Sequence, residues 1–82
     1  MFHSFTFKLH AISPERRAMM TDLSDWLRAT VGNGFFSITH PEVVENHQRY
    51  SDAKWIIVCY DDHLKVLLRE GQDAKAFSLR WT

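Results

Sequence analysis

The first ten residues alternate between apolar and polar side chains, a pattern that predicts a strand over residues 2–10. Phe5, Phe7 and Leu9 would face one way, and the polar residues between them would face the other. A strand that is apolar on one side only is typical of a sheet whose second face is polar and solvated at that point. The chain is therefore expected to begin with a half-buried strand.

The pattern then changes to a helical period over residues 14–31. Apolar side chains recur at spacings of three and four through this range and form one stripe. Ser13 can cap the N-terminus, and Pro14 suits the first helical position because its missing N–H has no partner there. Gly32 follows the last apolar residue, where a glycine commonly ends a helix. This range is predicted to be the main helix.

Two later runs predict further strands. Residues 35–40 predict a second strand, and we expect it to be antiparallel to its neighbours. Pro41 ends this strand, since proline cannot donate to a strand ladder. Residues 54–60 are dense in β-branched and aromatic side chains, which is typical of a central strand. Residues 41–53 between them have no clean period and indicate a long surface loop.

Residues 64–70 fit two patterns. Their apolar side chains alternate as in a strand, and the short turn at 61–63 would join that strand to 54–60 as a hairpin. The same residues also fit a helix that is capped by Asp62 and stopped by Gly71. The strand is the favoured interpretation.

The C-terminal residues also carry an alternating pattern. After a short helical turn over 73–77, the apolar residues Phe77, Leu79 and Trp81 occupy every second position and predict a last strand. Chain ends are usually polar and loosely held, so large apolar side chains here indicate that the end belongs to the core.

These elements predict one α+β domain over residues 1–82. It would have an antiparallel sheet of four to five strands with the helix 14–31 packed on one face, in the order β-α-β-β-β-(short α)-β. A helical 64–70 would change the order to βαββαβ, a ferredoxin-like arrangement. Six Phe, three Trp and two Tyr supply enough apolar surface for such a core.

The net charge and the lack of a long apolar run limit the classes of partner that we expect. Ten basic and ten acidic side chains give a formal net charge of zero, whereas nucleic-acid binders usually carry a basic surface. No basic segment precedes an apolar stretch at the N-terminus, and no apolar run is long enough to span a bilayer. We therefore expect a cytoplasmic protein with no membrane contact. Cys59 is the single cysteine, so no intrachain disulfide can form.

The residues that could carry chemistry do not form a recognisable motif. The five histidines lack the spacing of a compact metal site, so neither a metal nor a cofactor is predicted. Cys59 lies within a strand rather than on the exposed turn that usually presents a nucleophile. A small enzyme that uses a histidine or a carboxylate from the loops at the strand ends is retained as the second alternative, and His40, His47 and His63 are its candidate histidines.

A surplus of apolar residues favours a binding function. Both faces of strand 54–60 are apolar, and helix 14–31 can cover only one of them. The other face requires the loop 41–53, the C-terminal tail or another chain, and an open apolar patch usually marks an interface. The leading hypothesis is a small non-catalytic protein that acts through protein–protein contact, with a homodimer as one form of it.

Within the long loop, His47, Arg49 and Tyr50 are the candidate partner-binding residues. The first alternative is a nucleic-acid-binding module with aromatic side chains as stacking platforms. That alternative would be favoured if the following basic residues clustered on one face: Lys8, Arg16, Arg17, Lys54 and Arg80.

The C-terminal quarter resembles a pattern in small uncharacterised bacteriophage proteins. In that pattern a strand precedes an acidic turn with Asp-Ala, and Phe-x-Leu-x-Trp follows near the terminus. The corresponding segments here are residues 64–70, Asp73-Ala74 and residues 77–81. The resemblance implies a phage origin and a compact non-enzymatic protein that modulates a host factor in the host cytoplasm. It assigns no site residues.

Overall fold

The computed structural model describes residues 3–37 and 53–82, and they form an α+β fold, as predicted. The elements in chain order are β1 (His3–Phe7), α1 (Pro14–Thr30), β2 (Gly34–Ser37), β3 (Trp55–Cys59), β4 (Leu64–Leu68) and α2 (Gly71–Trp81). None of the helices in these residues is long and apolar enough to cross a membrane.

The strands form one sheet in the order β1-β4-β3-β2. β4 is antiparallel to both of its neighbours, β1 and β3. The Tyr60 amide donates to the His63 carbonyl at 2.9 Å and closes the turn between β3 and β4. The strand interpretation of residues 64–70 is therefore correct over Leu64–Leu68, because a turn this short brings the two apolar runs side by side.

The prediction that residues 35–40 run antiparallel to their neighbours is wrong. β2 pairs with β3 in parallel, and Gly34 lies opposite Trp55. A parallel pair needs a connection of about a dozen residues or more, and residues 38–54 supply that length. The antiparallel direction expected from the sequence therefore does not apply to β2. Residues 38–40 of the predicted strand lie outside the described residues.

The predicted last strand over 77–81 is also wrong, because these residues belong to helix α2. Ala74, Phe77 and Trp81 are three and four residues apart and share one helical face. Phe77 is fully buried, whereas Leu79 is 81% exposed, as expected on opposite sides of a helix. Three apolar residues at alternate positions are too few to distinguish a strand from a helix.

The ferredoxin-like alternative, βαββαβ, is overturned by the same observation. It placed its second helix at 64–70 and a strand at the end, whereas the chain has β4 first and ends in α2. In that alternative Gly71 would stop a helix, whereas it is the first residue of one. Asp73 in the first turn and Arg80 in the last turn match the helix dipole at both ends.

The main helix begins and ends as predicted. The Ser13 hydroxyl accepts a hydrogen bond from the Arg16 amide at 3.3 Å and donates one to the Glu15 carboxylate at 2.7 Å. This second hydrogen bond lowers the pKa of Glu15, because it stabilises the charged carboxylate. Gly32 has φ of 125° and can leave the helix in a conformation that other residues rarely adopt.

Both helices pack against the same face of the sheet. The buried residues of this core are Leu23, Leu27, Val31, Trp55, Ile57, Leu64, Val66, Leu68, Ala74 and Phe77. The buried Phe77 ring contacts three partly buried aromatic rings, with centroid distances of 4.8 Å to Phe5, 5.9 Å to Trp26 and 6.2 Å to Trp81. The C-terminal residues are therefore part of the core, although as a helix.

The second face of the sheet is also withdrawn from solvent. Ile56, Val58 and Leu67 are at most 1% exposed within a single copy of the chain. Since α2 packs on the opposite face, the C-terminal tail does not cover these residues. The apolar surplus that favoured self-association is thus not an open patch on the described strands.

We expect Phe77→Ala to lower the free energy of unfolding by about 3–5 kcal/mol, because it removes a fully buried ring. Leu79→Ala should change it by less than about 0.5 kcal/mol, since this side chain is exposed. Urea unfolding of both variants measures the difference. In a terminal strand the two residues would share a face, so an equal loss from the two variants would contradict helix α2.

A methyl group at Gly34 would overlap the indole ring of Trp55. That ring cannot easily move away, because its Nε1 donates to the Gly32 carbonyl at 2.8 Å. We expect Gly34→Ala to cost about 1–3 kcal/mol of stability through overpacking. Gly71→Ala is the matched control, since its methyl group would approach only His3 Nε2, at 3.8 Å. Equal melting temperatures for the two variants would contradict this packing.

Candidate functional site

Helix α1 has two flanks beside its buried stripe. Trp26 lies on the first flank and contacts α2, with its ring centroid 5.9 Å from Phe77 and 6.4 Å from Trp81. Because the helix has 3.6 residues per turn, Arg17 and Thr21 lie on the opposite flank. Ser24 and Arg28, one and two turns after Thr21, lie on the same flank. This second flank, which faces away from α2, carries the candidate site.

An open cavity of about 420 Å³ runs along this flank, and we call it the arginine cavity. Its lining residues are Ala11, Arg16, Arg17, Met20, Thr21, Ser24, Asp25 and Arg28. A second hollow of about 410 Å³ adjoins it at the start of α1, and we call it the apolar hollow. Its lining residues are Ala11, Ile12, Ser13, Pro14, Arg17, Ala18 and Thr21.

Arg16 connects the cavity to the sheet. Its side chain is 5% exposed, and Nη1 donates to the carbonyl oxygens of Leu9, at 3.2 Å, and of Tyr60. These carbonyls follow β1 and β3, so one guanidinium group holds α1 against the ends of two strands. Within residues 3–37 and 53–82 it forms no ion pair and no further side-chain hydrogen bond.

The wall beside Arg16 is formed by the loop that follows β1. The Ala11 amide donates to the Asp61 carbonyl at 2.8 Å, which ties this loop to the turn between β3 and β4. The loop therefore has a defined position at the mouth of the cavity. Ile12 follows Ala11 and is 87% exposed.

Ser24 and Asp25 complete the polar part of the lining. Ser24 is only 5% exposed and contributes a hydroxyl group to the lining. Asp25 is the single acidic residue of the lining, and it forms no ion pair with another described residue. Three arginines against one aspartate leave the cavity with two net positive charges.

The sequence placed its candidate site elsewhere. His47, Arg49 and Tyr50 lie outside the described residues, as does His40, so their role stays a prediction. Among the basic residues that a nucleic-acid surface would gather, Arg16 and Arg17 line the cavity; the other three do not. Arg80, for example, lies on α2, with its guanidinium carbon 4.6 Å from the Trp81 ring centroid.

The arginine cavity was missed from the sequence because Arg16 and Arg17 were considered only as members of a possible nucleic-acid surface and Arg28 was not singled out. One signal was present. Arg17, Thr21, Ser24 and Arg28 are spaced by three and four, so polar residues also follow one line along the helix. A polar line on a helix usually faces solvent, and only the folded chain shows that this one borders a hollow.

The other ionisable groups form smaller arrangements. His63 Nδ1 lies 2.7 Å from Asp62 Oδ1, and this hydrogen bond lowers the pKa of the exposed Asp62 carboxylate. The His63 ring also stacks on Tyr60, with 4.0 Å between centroids. Cys59 is a half-buried free thiol. The described residues contain no group of three or more His, Cys, Asp or Glu that could hold a metal ion.

We expect Arg16→Met to lower the free energy of unfolding by about 1.5–3 kcal/mol, because the Leu9 and Tyr60 carbonyls would lose a charged donor. Arg17→Met removes the same group from an exposed position of the same helix and should cost less than about 0.5 kcal/mol. Chemical denaturation of the two variants makes the comparison. Wild-type stability in Arg16→Met would contradict the bridging role.

Comparison with known proteins provides no relative from which a function can be transferred. A scan against protein-family models, a search of curated proteins and a search of solved structures each find no match to this chain. The function of the α1 flank is therefore inferred from its own shape, burial and charge.

Proposed function

We propose that this chain is a small non-catalytic binding protein that acts through protein–protein contact on the second flank of α1. The observation that carries the proposal is the continuity of two hollows. The arginine cavity and the apolar hollow share Ala11, Arg17 and Thr21, so cationic and apolar groups line one connected surface. A partner with acidic and apolar side chains complements this surface.

The apolar hollow supplies the apolar part of the contact. Ile12, Pro14 and Ala18 line it, and Ile12 is 87% exposed. A single exposed apolar residue is normal on a protein surface. Here the exposed side chain stands at a hollow with other apolar lining, an arrangement in which a partner side chain gains contact on several sides.

The cations of the surface are all arginines. Arginine is enriched at protein interfaces and lysine is depleted, because a guanidinium group is weakly hydrated and binds carboxylates through two parallel hydrogen bonds. Arg17 and Arg28 are exposed, while Arg16 is held in place by backbone carbonyls. An acidic partner would therefore meet one fixed and two adjustable guanidinium groups.

A nucleic-acid-binding module would use the same arginines, but the surface suits it less well. Nucleic-acid affinity depends on many phosphate contacts along an extended basic surface. Lys8, Lys54 and Arg80 do not line the cavity, and Asp25 does.

If the chain is a phage protein, as the resemblance of its C-terminal quarter implies, its protein partner would be a host factor in the host cytoplasm.

Two matched variants test the proposed surface. Ile12 and Leu79 are both large, apolar and more than 80% exposed, but only Ile12 lies at the hollow. Immobilised wild-type protein and the variants Ile12→Asp and Leu79→Asp are incubated with lysate, and retained proteins are compared by mass spectrometry. We expect a protein retained by wild type and Leu79→Asp but lost from Ile12→Asp, since a buried carboxylate would oppose apolar contact.

Three outcomes would contradict this surface. These are retention of the same protein by Ile12→Asp, its loss from both variants, and the absence of any specifically retained protein. Unfolding curves of both variants, compared with wild type, show whether a loss of binding reflects a loss of fold. Sedimentation of the free protein shows whether the retained protein is a second copy of this chain.

A further inference from the structure

We propose that the arginine cavity binds a phosphate monoester, and that its occupant is a phosphorylated serine or threonine side chain of the protein partner. This inference rests on the proposed function for the source of the phosphate. The recognition of the phosphate itself depends only on the cavity. It can therefore be measured without a partner.

Arg16 provides a prearranged donor edge. A guanidinium group has five N–H donors, and the two on Nη1 are directed to the Leu9 and Tyr60 carbonyls. The remaining donors, on Nε and Nη2, form the edge that binds an oxyanion through two parallel hydrogen bonds. They donate to no other residue in the described ranges. Because the carbonyls already fix the group, little side-chain freedom would be lost on binding.

The charge of the lining favours phosphate over a carboxylate. Three arginines and one aspartate leave two net positive charges. A phosphate monoester carries about 1.5 to 2 negative charges at pH 7, whereas a carboxylate carries one. A phosphate also has three acceptor oxygens, so it can bind Arg16 and still accept from Arg17 or Arg28.

Ser24 adds a hydroxyl group to the lining of the cavity. A phosphate oxygen in the cavity would accept a hydrogen bond from this hydroxyl. Room remains for the side chain that carries the phosphate, since the cavity holds about 420 Å³.

Binding is tested by titrating the ¹⁵N-labelled full chain with inorganic phosphate and with O-phosphoserine at constant ionic strength. We expect saturable shifts of amide signals from residues 16–28 with both probes, and none with acetate at the same concentrations. Failure of both phosphate probes to saturate would overturn the proposal. Equal binding of acetate would also overturn it, because the site would then be a general anion site.

Variants assign the binding to the cavity. Arg28→Gln and Ser24→Ala should each weaken phosphate binding, Arg28→Gln by about tenfold, since a hydrogen bond to a charged group is lost. Lys75→Gln removes the same charge from an exposed position on α2 and should leave binding unchanged. Equal effects of Arg28→Gln and Lys75→Gln would contradict the cavity as the site. Because Arg28 is exposed, its replacement should not unfold the chain.

Further experiments test the phosphorylated partner independently of the proposed contact surface. Phosphatase treatment of the lysate should abolish capture of the partner, and unchanged capture would refute a phosphorylated partner. Ile12→Asp should lose the partner but still bind inorganic phosphate, so the two proposals fail in different experiments. A single-stranded oligonucleotide that binds while O-phosphoserine does not would overturn this proposal in favour of nucleic-acid binding.

Discussion

The aromatic contacts of Phe77 join three elements that are distant in the sequence. Its ring contacts Phe5 on β1, Trp26 on α1 and Trp81 within α2. A buried aromatic ring removes a large apolar area from water, and an 82-residue domain has few other sources of stability. The position of α2 beside α1, and hence which flank of α1 remains uncovered, depends on this cluster.

The positive charge of the uncovered flank depends on a second constraint, the burial of Arg16. A charged group can be buried at acceptable cost only when its donors are satisfied. The Leu9 and Tyr60 carbonyls provide part of that satisfaction and fix the plane of the guanidinium group. The same contact that holds α1 to the strand ends therefore places a positive charge at a defined point in the arginine cavity.

Periodicity predicted the elements that are long or strongly patterned. The helix over 14–31 and the strand pair 54–60 and 64–70 follow from local side-chain order, because an amphipathic stripe and a short turn leave few alternatives. The C-terminal helix was missed since Phe77, Leu79 and Trp81 alternate by chance. The side chains that pack in or against the core are Ala74, Phe77 and Trp81. Their spacing of three and four residues fits a helix.

The direction of β2 could not be predicted in the same way. It depends on how the chain returns to β3, and a connection as long as residues 38–54 permits either direction. The burial of the second sheet face could not be predicted from the sequence either. Ile56 and Val58 were recognised as apolar, but their burial within one copy of the chain is a property of the folded molecule.

The candidate site was not predicted from the sequence at all. Arg16, Arg17 and Arg28 are ordinary helix residues in the linear chain, and nothing local indicates that one is buried and two are exposed. The burial of Arg16 arises from carbonyl groups that lie 7 and 44 positions away. A cavity also needs walls from separate segments, here α1 and the loop that contains Ala11.

The sequence by itself determined the α+β class, the extent of the main helix and the hairpin of the central strands, because these depend on interactions between near neighbours. Only the tertiary structure decided the parallel direction of β2, the helical C-terminus and the arginine cavity. Each of these depends on which distant groups meet: backbone partners for β2, aromatic rings for α2, and carbonyl oxygens for Arg16. These contacts depend on how the whole core packs, and a local sequence pattern does not specify that packing.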